Sequence, residues 1–174
     1  MTLSAERPSL LRAWWPATVW IGLIAIESTD YLSSENTSSV LYSILTRLFG
    51  QINLYDFLVW HFYGRKAGHV IGYGMLCLLL WRGWRFTLAR SSSWALRSAA
   101  FAWAGTALVA SLDEWHQTFI PSRTGTIRDV ILDSVAGLVF VLALTNALLP
   151  PGIPPEPVGA RRPEYTPTPG RLFK

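Results

Sequence analysis

Charge is scarce in this 174-residue chain, where Asp, Glu, Lys and Arg together make up 15% of the residues. A soluble globular domain carries about 25%. Hydrophobic residues reach 51%, more than one compact domain of this length needs for its core. The excess is therefore expected to face lipid. Cysteine is almost absent: Cys77 stands alone inside an apolar run. That excludes an intramolecular disulfide and a cysteine zinc site, and it fits a buried, inert thiol. Also missing are a nucleophile elbow, a phosphate loop and an HExxH helix, so the familiar hydrolase and nucleotide-binding signatures give no lead. The net charge of +4 is spread over cations that flank apolar runs instead of forming one patch. Nucleic acid is not an expected partner.

What the chain does have is four apolar segments. They define the expected fold class, an all-α membrane protein with four transmembrane helices over about 10–27, 67–84, 98–119 and 130–149. A span needs about 20 residues at 1.5 Å each. The third segment reaches that length only if its helix runs on through Asp113 and Gln117 to Phe119, before Pro121 stops it. The first follows Arg7 and Arg12 and so imitates a signal peptide. It ends in Glu27-Ser28-Thr29-Asp30 with no small-x-small cleavage site, and reads as an uncleaved helix.

Residues 28–66 form an external segment between the first two spans. Val40, Leu41, Ile44, Leu45, Leu48 and Phe49 recur at helical spacing after Asn36 and Ser38, the expected N-caps. The aromatic run Tyr55–Tyr63 follows. Both pieces are expected as short amphipathic helices lying on the outer leaflet. Residues 1–9 are a short cytoplasmic N-terminus, and the proline-rich tail 150–174 is expected to be disordered.

Orientation follows the cations. With the N-terminus inside, Arg7, Arg12, Arg82, Arg85, Arg90, Arg97, Arg161, Arg162, Arg171 and Lys174 lie on the cytoplasmic side. Arg47, Arg65, Lys66, Arg123 and Arg128 lie opposite. Ten against five places both termini in the cytoplasm of a multi-pass cell-membrane protein. Trp14, Trp15, Trp81, Trp84 and Trp94 mark the inner interface, Trp60 and Trp115 the outer one.

Polar residues then gather at the outer surface. Lys66, His69 and Tyr73 share one face of the second span, at i, i+3 and i+7. Asp113, Glu114 and Gln117 sit on the last turns of the third. Asp129, Asp133 and Gly137 form an i, i+4, i+8 line on the fourth. The link Ile120–Thr126 makes the last two spans an antiparallel pair and brings Arg123 and Arg128 toward the carboxylates. Asp113 and Glu114 oppose the helix macrodipole, and Asp133 stands about one turn inside a span, where a lone charge costs a few kcal/mol. Such groups need partners, and ionisable residues in a membrane are functional-site candidates. Simpler roles stand beside these. Thr126-x-x-Asp129 is a capping box, Lys66 can snorkel, Tyr73 can bond a neighbouring helix, Gly137 can permit close packing, and His61 and His116 fit interfacial histidines.

The stretch LDEWHQTFIPSRTGTIRDVILDSVAG resembles the signature of the VanZ-like membrane proteins, with an Asp-Glu-x-x-Gln helix end, a Pro-x-Arg loop and an Asp-x-x-x-Asn helix start. KAGHVIGYGML resembles the family's earlier Lys-x-x-His-x-x-x-Tyr helix. The matching positions are Lys66, His69, Tyr73, Asp113, Glu114, Gln117, Arg123, Asp129 and Gly137; Asp133 departs, standing where the family usually has Asn. The resemblance covers about Lys66 to Phe140 and implies a link to low-level resistance to the glycopeptide teicoplanin, without naming a reaction.

Three functions follow as expectations. The first is binding of a lipid-linked, phosphate-bearing headgroup at the outer leaflet, with membrane lipids and a polyprenyl-linked cell-wall precursor as partners. Lys66, Arg123 and Arg128 would hold phosphate, and His69, Tyr73, Asp113, Glu114, Gln117, Asp129 and Asp133 complete the ligand-binding set. The second is an enzyme acting on a lipid headgroup, with His69, Asp113 or Glu114 as catalytic groups. No cofactor is required by the first reading; the second would hold a divalent metal on Asp113, Asp129 and Asp133, a set that suits magnesium or manganese better than zinc. The third is a small four-helix drug transporter, disfavoured because the polar groups lie near one interface and not at the midplane. Oligomeric state is left open.

Overall fold

A computed structural model describes residues 10–88 and 93–148; the expected N-terminal segment and tail, and the side chain of Trp94, lie outside the described residues. The described residues are helical without strands: α1 (Leu10–Glu27), a 3-10 turn (Asp30–Leu32), α2 (Ser34–Phe49), α3 (Leu54–Thr87), α4 (Ser93–Gln117) and α5 (Ile127–Leu148). Among them α5 alone is both long and apolar enough to cross a membrane by length and composition.

The core lies where α3, α4 and α5 pack on one another. α3 contributes Tyr73, Leu76, Cys77 and Leu80, spaced on one helical face. α4 contributes Ala99, Ala102, Thr106 and Ala110, a stripe of small side chains that lets the backbones approach closely. α5 meets them with Asp133, Ala136, Gly137 and Val141. Gly137 packs against Cys77 and Thr106, so a Cβ there would crowd both. Gly74 of α3 lies under the Phe140 ring, which a Cβ would approach to 2.6 Å. Only glycine permits that α3–α5 contact.

α1 docks on α3 through Trp14 and Trp20. Trp14 Nε1 donates to Thr87 Oγ1 at 2.9 Å, its ring meets Trp84 edge-on, and Trp20 Nε1 donates to the Gly72 carbonyl at 2.8 Å. Pro16 interrupts α1 from within and has no N–H for the Arg12 carbonyl four residues back. Arg82 of α3 reaches across to that carbonyl at 3.2 Å and to the Ala13 carbonyl at 2.8 Å.

Two local expectations are corrected. α2 begins at Ser34, and its N-cap is Ser33, whose hydroxyl accepts from the Asn36 N–H at 3.3 Å. Asn36 and Ser38 are therefore already inside the helix. The aromatic run Tyr55–Tyr63 is not a separate interfacial helix but the first turns of the 34-residue α3. Gly64 brings no break because nothing near it needs a bend and the flanking residues keep their helical bonds. Asn53 caps this long helix by accepting from the Tyr55 N–H at 2.9 Å, and α2 folds back on its start, where Tyr42 packs on Phe57 and bonds the Ile52 carbonyl. At the far end of α4, Thr118 and Phe119 continue as a tightened turn instead of full α-helix.

Candidate functional site

Three residues on one face of α3 each take one carboxylate from a neighbouring helix. Lys66 Nζ pairs with Asp129 Oδ1 at the start of α5. One turn on, His69 Nδ1 lies 3.3 Å from Asp133 Oδ2. One further turn on, the Tyr73 hydroxyl donates to Asp113 Oδ2 of α4 at 2.9 Å, and Gln117 Nε2 donates to the same oxygen at 3.0 Å. The i, i+3, i+7 spacing thus becomes a ladder that ties α3 to both α4 and α5.

Glu114 closes the far side. Its Oε2 accepts from the backbone N–H of Thr126 at 2.7 Å, while the Thr126 hydroxyl accepts from the Asp129 N–H at 3.2 Å. The capping box is therefore split between helices. Thr126 caps α5, and the return bond comes from Glu114, leaving the Asp129 carboxylate to Lys66. Gly125 makes this closeness possible, because a Cβ there would fall 2.1 Å from the Glu114 carbonyl oxygen.

Arg123 turns to the end of α1. Its Nη2 donates to the Glu27 carbonyl and, at 2.9 Å, to the Thr29 carbonyl, so a cation covers a helix C-terminus that has no basic residue of its own. Its buried Nε has no hydrogen-bond partner in the protein. Beside it Ser122 donates to Asp30. Arg65 of α3 donates to the Leu32 carbonyl at 3.0 Å. Burial first, and the neighbouring Arg65 charge second, pull the Arg123 pKa below the ordinary arginine value.

These groups surround a cleft of about 210 Å³, lined by Arg65, Lys66, His69, Glu114, Gln117, Ser122, Arg123, Thr124 and Asp129, with Phe62 and Ser34 at its edge. A much smaller pocket, lined by His69, Tyr73, Asp113, Gln117 and Arg123 among others, adjoins it and shares His69, Gln117 and Arg123 with it. This small pocket shares Ile24, Ser28 and Asp113 with an apolar groove of about 410 Å³ between α1 and α4, whose walls include Ile21, Val109 and Leu112.

Of the ten ligand-binding candidates, Lys66, His69, Glu114, Gln117, Arg123 and Asp129 line the cleft. Tyr73 and Asp113 line the small adjoining pocket, and Asp133 is wholly buried behind His69. Arg128 is exposed and is not among the lining residues. The three metal candidates separate, since Asp129 faces Lys66, Asp113 faces Tyr73 and Gln117, and Asp133 faces His69. A different trio converges: His69, Glu114 and Asp133 each offer one ligand atom, all within 4.8 Å of one another. Oδ1 of Asp133 and Oε1 of Glu114 are buried without a hydrogen-bond partner. Such oxygens cost about 1–3 kcal/mol each. His61 and His116 stand apart, bonded to Thr37 and Ser28 at 3.3 and 3.1 Å; burial and Arg65 hold the His61 pKa below the usual histidine value.

Arg65 is the charged lining residue that the motif reading passed over, beside the uncharged Ser34, Phe62, Ser122 and Thr124. Its only signal was position, one residue before Lys66 and four before His69 on the same helix.

A model of the VanZ/LLP1 family matches residues 13–148. The chain belongs to the VanZ/LLP1 family. The matched range runs from the fourth residue of α1 to the last of α5, so it takes in the α1 end that Arg123 covers as well as the α3–α5 ladder. No curated protein and no solved structure matches the chain. For this VanZ/LLP1 chain, the cleft between α3, α4, α5 and the end of α1 is thus the candidate site.

Proposed function

We propose that this VanZ/LLP1 protein crosses the cell membrane four times, through α1, α3, α4 and α5, and binds a lipid-linked, phosphate-bearing headgroup in the cleft at the outer leaflet. The observation that carries the reading is the state of Arg65 and Arg123. Both line one cleft, both bond only backbone carbonyls, and among the described residues neither has a carboxylate within ion-pair distance. Two guanidinium groups beside each other with no direct ion pair offer an anion their remaining donors, and their planar geometry suits phosphate oxygens. A lipid, in preference to a free anion, is supported by the apolar groove between α1 and α4, whose lining shares Ile24, Ser28 and Asp113 with the small pocket beside the cleft. The bilayer itself is supported by large apolar side chains left exposed on every proposed span, among them Leu23, Ile71, Phe101, Leu108, Ile131 and Val139. In water these would form patches far beyond what a soluble monomer shows.

A polyprenyl-linked cell-wall precursor is the ligand class that connects this site to glycopeptide susceptibility: sequestering it would alter the surface to which teicoplanin binds. Native mass spectrometry of the full chain with a polyprenyl phosphate and with the matching prenol tests the binding. Adducts are expected with the phosphate only, and Arg65→Ala should weaken them about tenfold or more, as loss of one charged hydrogen bond implies. Equal binding of the prenol, or an unchanged Arg65→Ala variant, overturns the headgroup assignment. In cells, teicoplanin sensitivity should differ between wild type and Arg65→Ala at equal membrane levels.

One observation favours a second reading, an enzyme acting on the same headgroup. His69 faces the cleft with its other side on Asp133, the arrangement of a general base held by an orienting carboxylate. Release of phosphate or headgroup from the bound lipid, abolished by His69→Gln, would distinguish it from binding alone.

A further inference from the structure

We propose that His69, Glu114 and Asp133 form a divalent-cation site in the inner wall of the cleft. The three residues come from three different helices, α3, α4 and α5, and each offers a ligand atom within 4.8 Å of the others. Ligands on one ion at 2.0–2.2 Å lie at most about 4.4 Å apart, so small side-chain shifts close the site. Both carboxylates are buried, Glu114 with 4% and Asp133 with 0% of its surface exposed. Each has used one oxygen, Glu114 on the Thr126 N–H and Asp133 on His69, and each keeps a second, buried oxygen that no protein group satisfies. Buried oxygens of that kind are rare in folded proteins and call for an explanation. A cation is one that answers both at once.

Charge agrees with geometry. Two carboxylates and a neutral imidazole balance a 2+ ion to zero, which suits a buried position. Among the described residues no lysine or arginine forms an ion pair with these two carboxylates: Lys66 is engaged with Asp129 and Arg123 bonds the end of α1. The mixed donor set of one nitrogen and two oxygens points to manganese or zinc, since imidazole draws first-row transition ions and carboxylates draw manganese. Three protein ligands leave positions open. These face the cleft, because His69 and Glu114 line it while Asp133 lies behind, and the cleft is also the ion's way in.

The inference does not depend on the headgroup reading, because the probe is the metal alone. The full chain, purified in detergent and stripped with chelator, is titrated with manganese and followed by loss of the free-ion EPR signal, with zinc as competitor. One manganese or zinc per chain is expected. Glu114→Gln and Asp133→Asn should each weaken binding about tenfold or more, the range that even outer-shell losses reach, while Asp56→Asn, on an exposed first turn of α3, leaves it unchanged. Failure of the wild-type chain to bind either metal overturns the site. So does binding that survives the Glu114→Gln/Asp133→Asn double variant, or that falls equally with Asp56→Asn. Glu114→Gln alone decides the matter should Asp133→Asn fail to fold.

Discussion

Arg82 donates from Nη2 to the Arg12 carbonyl across the α1–α3 interface at 3.2 Å, and that carbonyl is the acceptor Pro16 leaves without a helical donor. A proline inside a helix is tolerated where a neighbour re-satisfies the freed backbone group. Here the neighbour is a guanidinium on the adjacent helix, which also bonds the Ala13 carbonyl at 2.8 Å.

The relationship predicts coupling between two distant positions. Arg82→Ala should destabilise the chain by about 1–3 kcal/mol, read as a fall in thermal midpoint of about 2–4 °C per kcal/mol for a chain of this size. In a Pro16→Ala background the helix supplies its own N–H to Arg12, so the same substitution should cost about 1 kcal/mol less. Strictly additive midpoints for the double variant would show that Arg82 serves the helix junction in some other way.

Lys66 and Asp129 pose a different question, since their ion pair lies in the wall of the cleft. The pair is partly exposed, with side chains 32% and 19% accessible, so its own contribution is modest. Removing one partner leaves the other charge half-buried, which costs more than losing both. Lys66→Met and Asp129→Asn should each lower the thermal midpoint, and the double variant should recover most of the loss. Polyprenyl-phosphate binding should behave otherwise and stay as weak in the double variant as in Lys66→Met. Binding restored together with stability would reduce Lys66 to a structural partner of Asp129.

Much of this site was legible in the sequence because helical spacing is regular. Lys66, His69 and Tyr73 share a face by periodicity alone, and the structure gives each a carboxylate. The short link after α4 likewise demanded an antiparallel α4–α5 pair, and the two helices do pack together. Which carboxylate meets which residue was not legible, because that depends on the axial offset between helices. A shift of one turn would exchange Asp129 for Asp133 opposite Lys66. The offset is set by contacts such as Phe140 over Gly74 and Gly125 against the Glu114 carbonyl, which a single sequence does not reveal. For the same reason the expected metal set Asp113, Asp129 and Asp133 separates, and His69 and Glu114 join Asp133 instead.

Arg123 was misread in direction more than in place. Its position in the α4–α5 link suggested the nearby carboxylates, yet it bonds the carbonyls that end α1. The end of α1 has no basic residue in its last turn, and unsatisfied carbonyls there attract a cation from elsewhere in the chain. The fusion of the aromatic run into α3 has a related cause. Asn53 caps a helix at that point and no proline follows before Thr87, so nothing ends the helix where the hydropathy changes.

The four-span reading makes a prediction about which ends of the bundle face outward. Cys77 is the single cysteine and is fully buried, so a membrane-impermeant maleimide should not label the wild-type chain in intact cells. Thr124 is exposed at the cleft end, in the α4–α5 link, and Phe86 is 53% exposed near the opposite end of α3. In a Cys77→Ser background, Thr124→Cys should be labelled in intact cells and Phe86→Cys only after the membrane is permeabilised. This follows from the four-span reading of the sequence, in which arginine and lysine divide ten against five and the positive-inside rule would put the Phe86 end in the cytoplasm. Labelling of both positions in intact cells would deny that α3 crosses the membrane between them. The reverse pattern would put the cleft in the cytoplasm, and with it any headgroup of the outer leaflet would be out of reach.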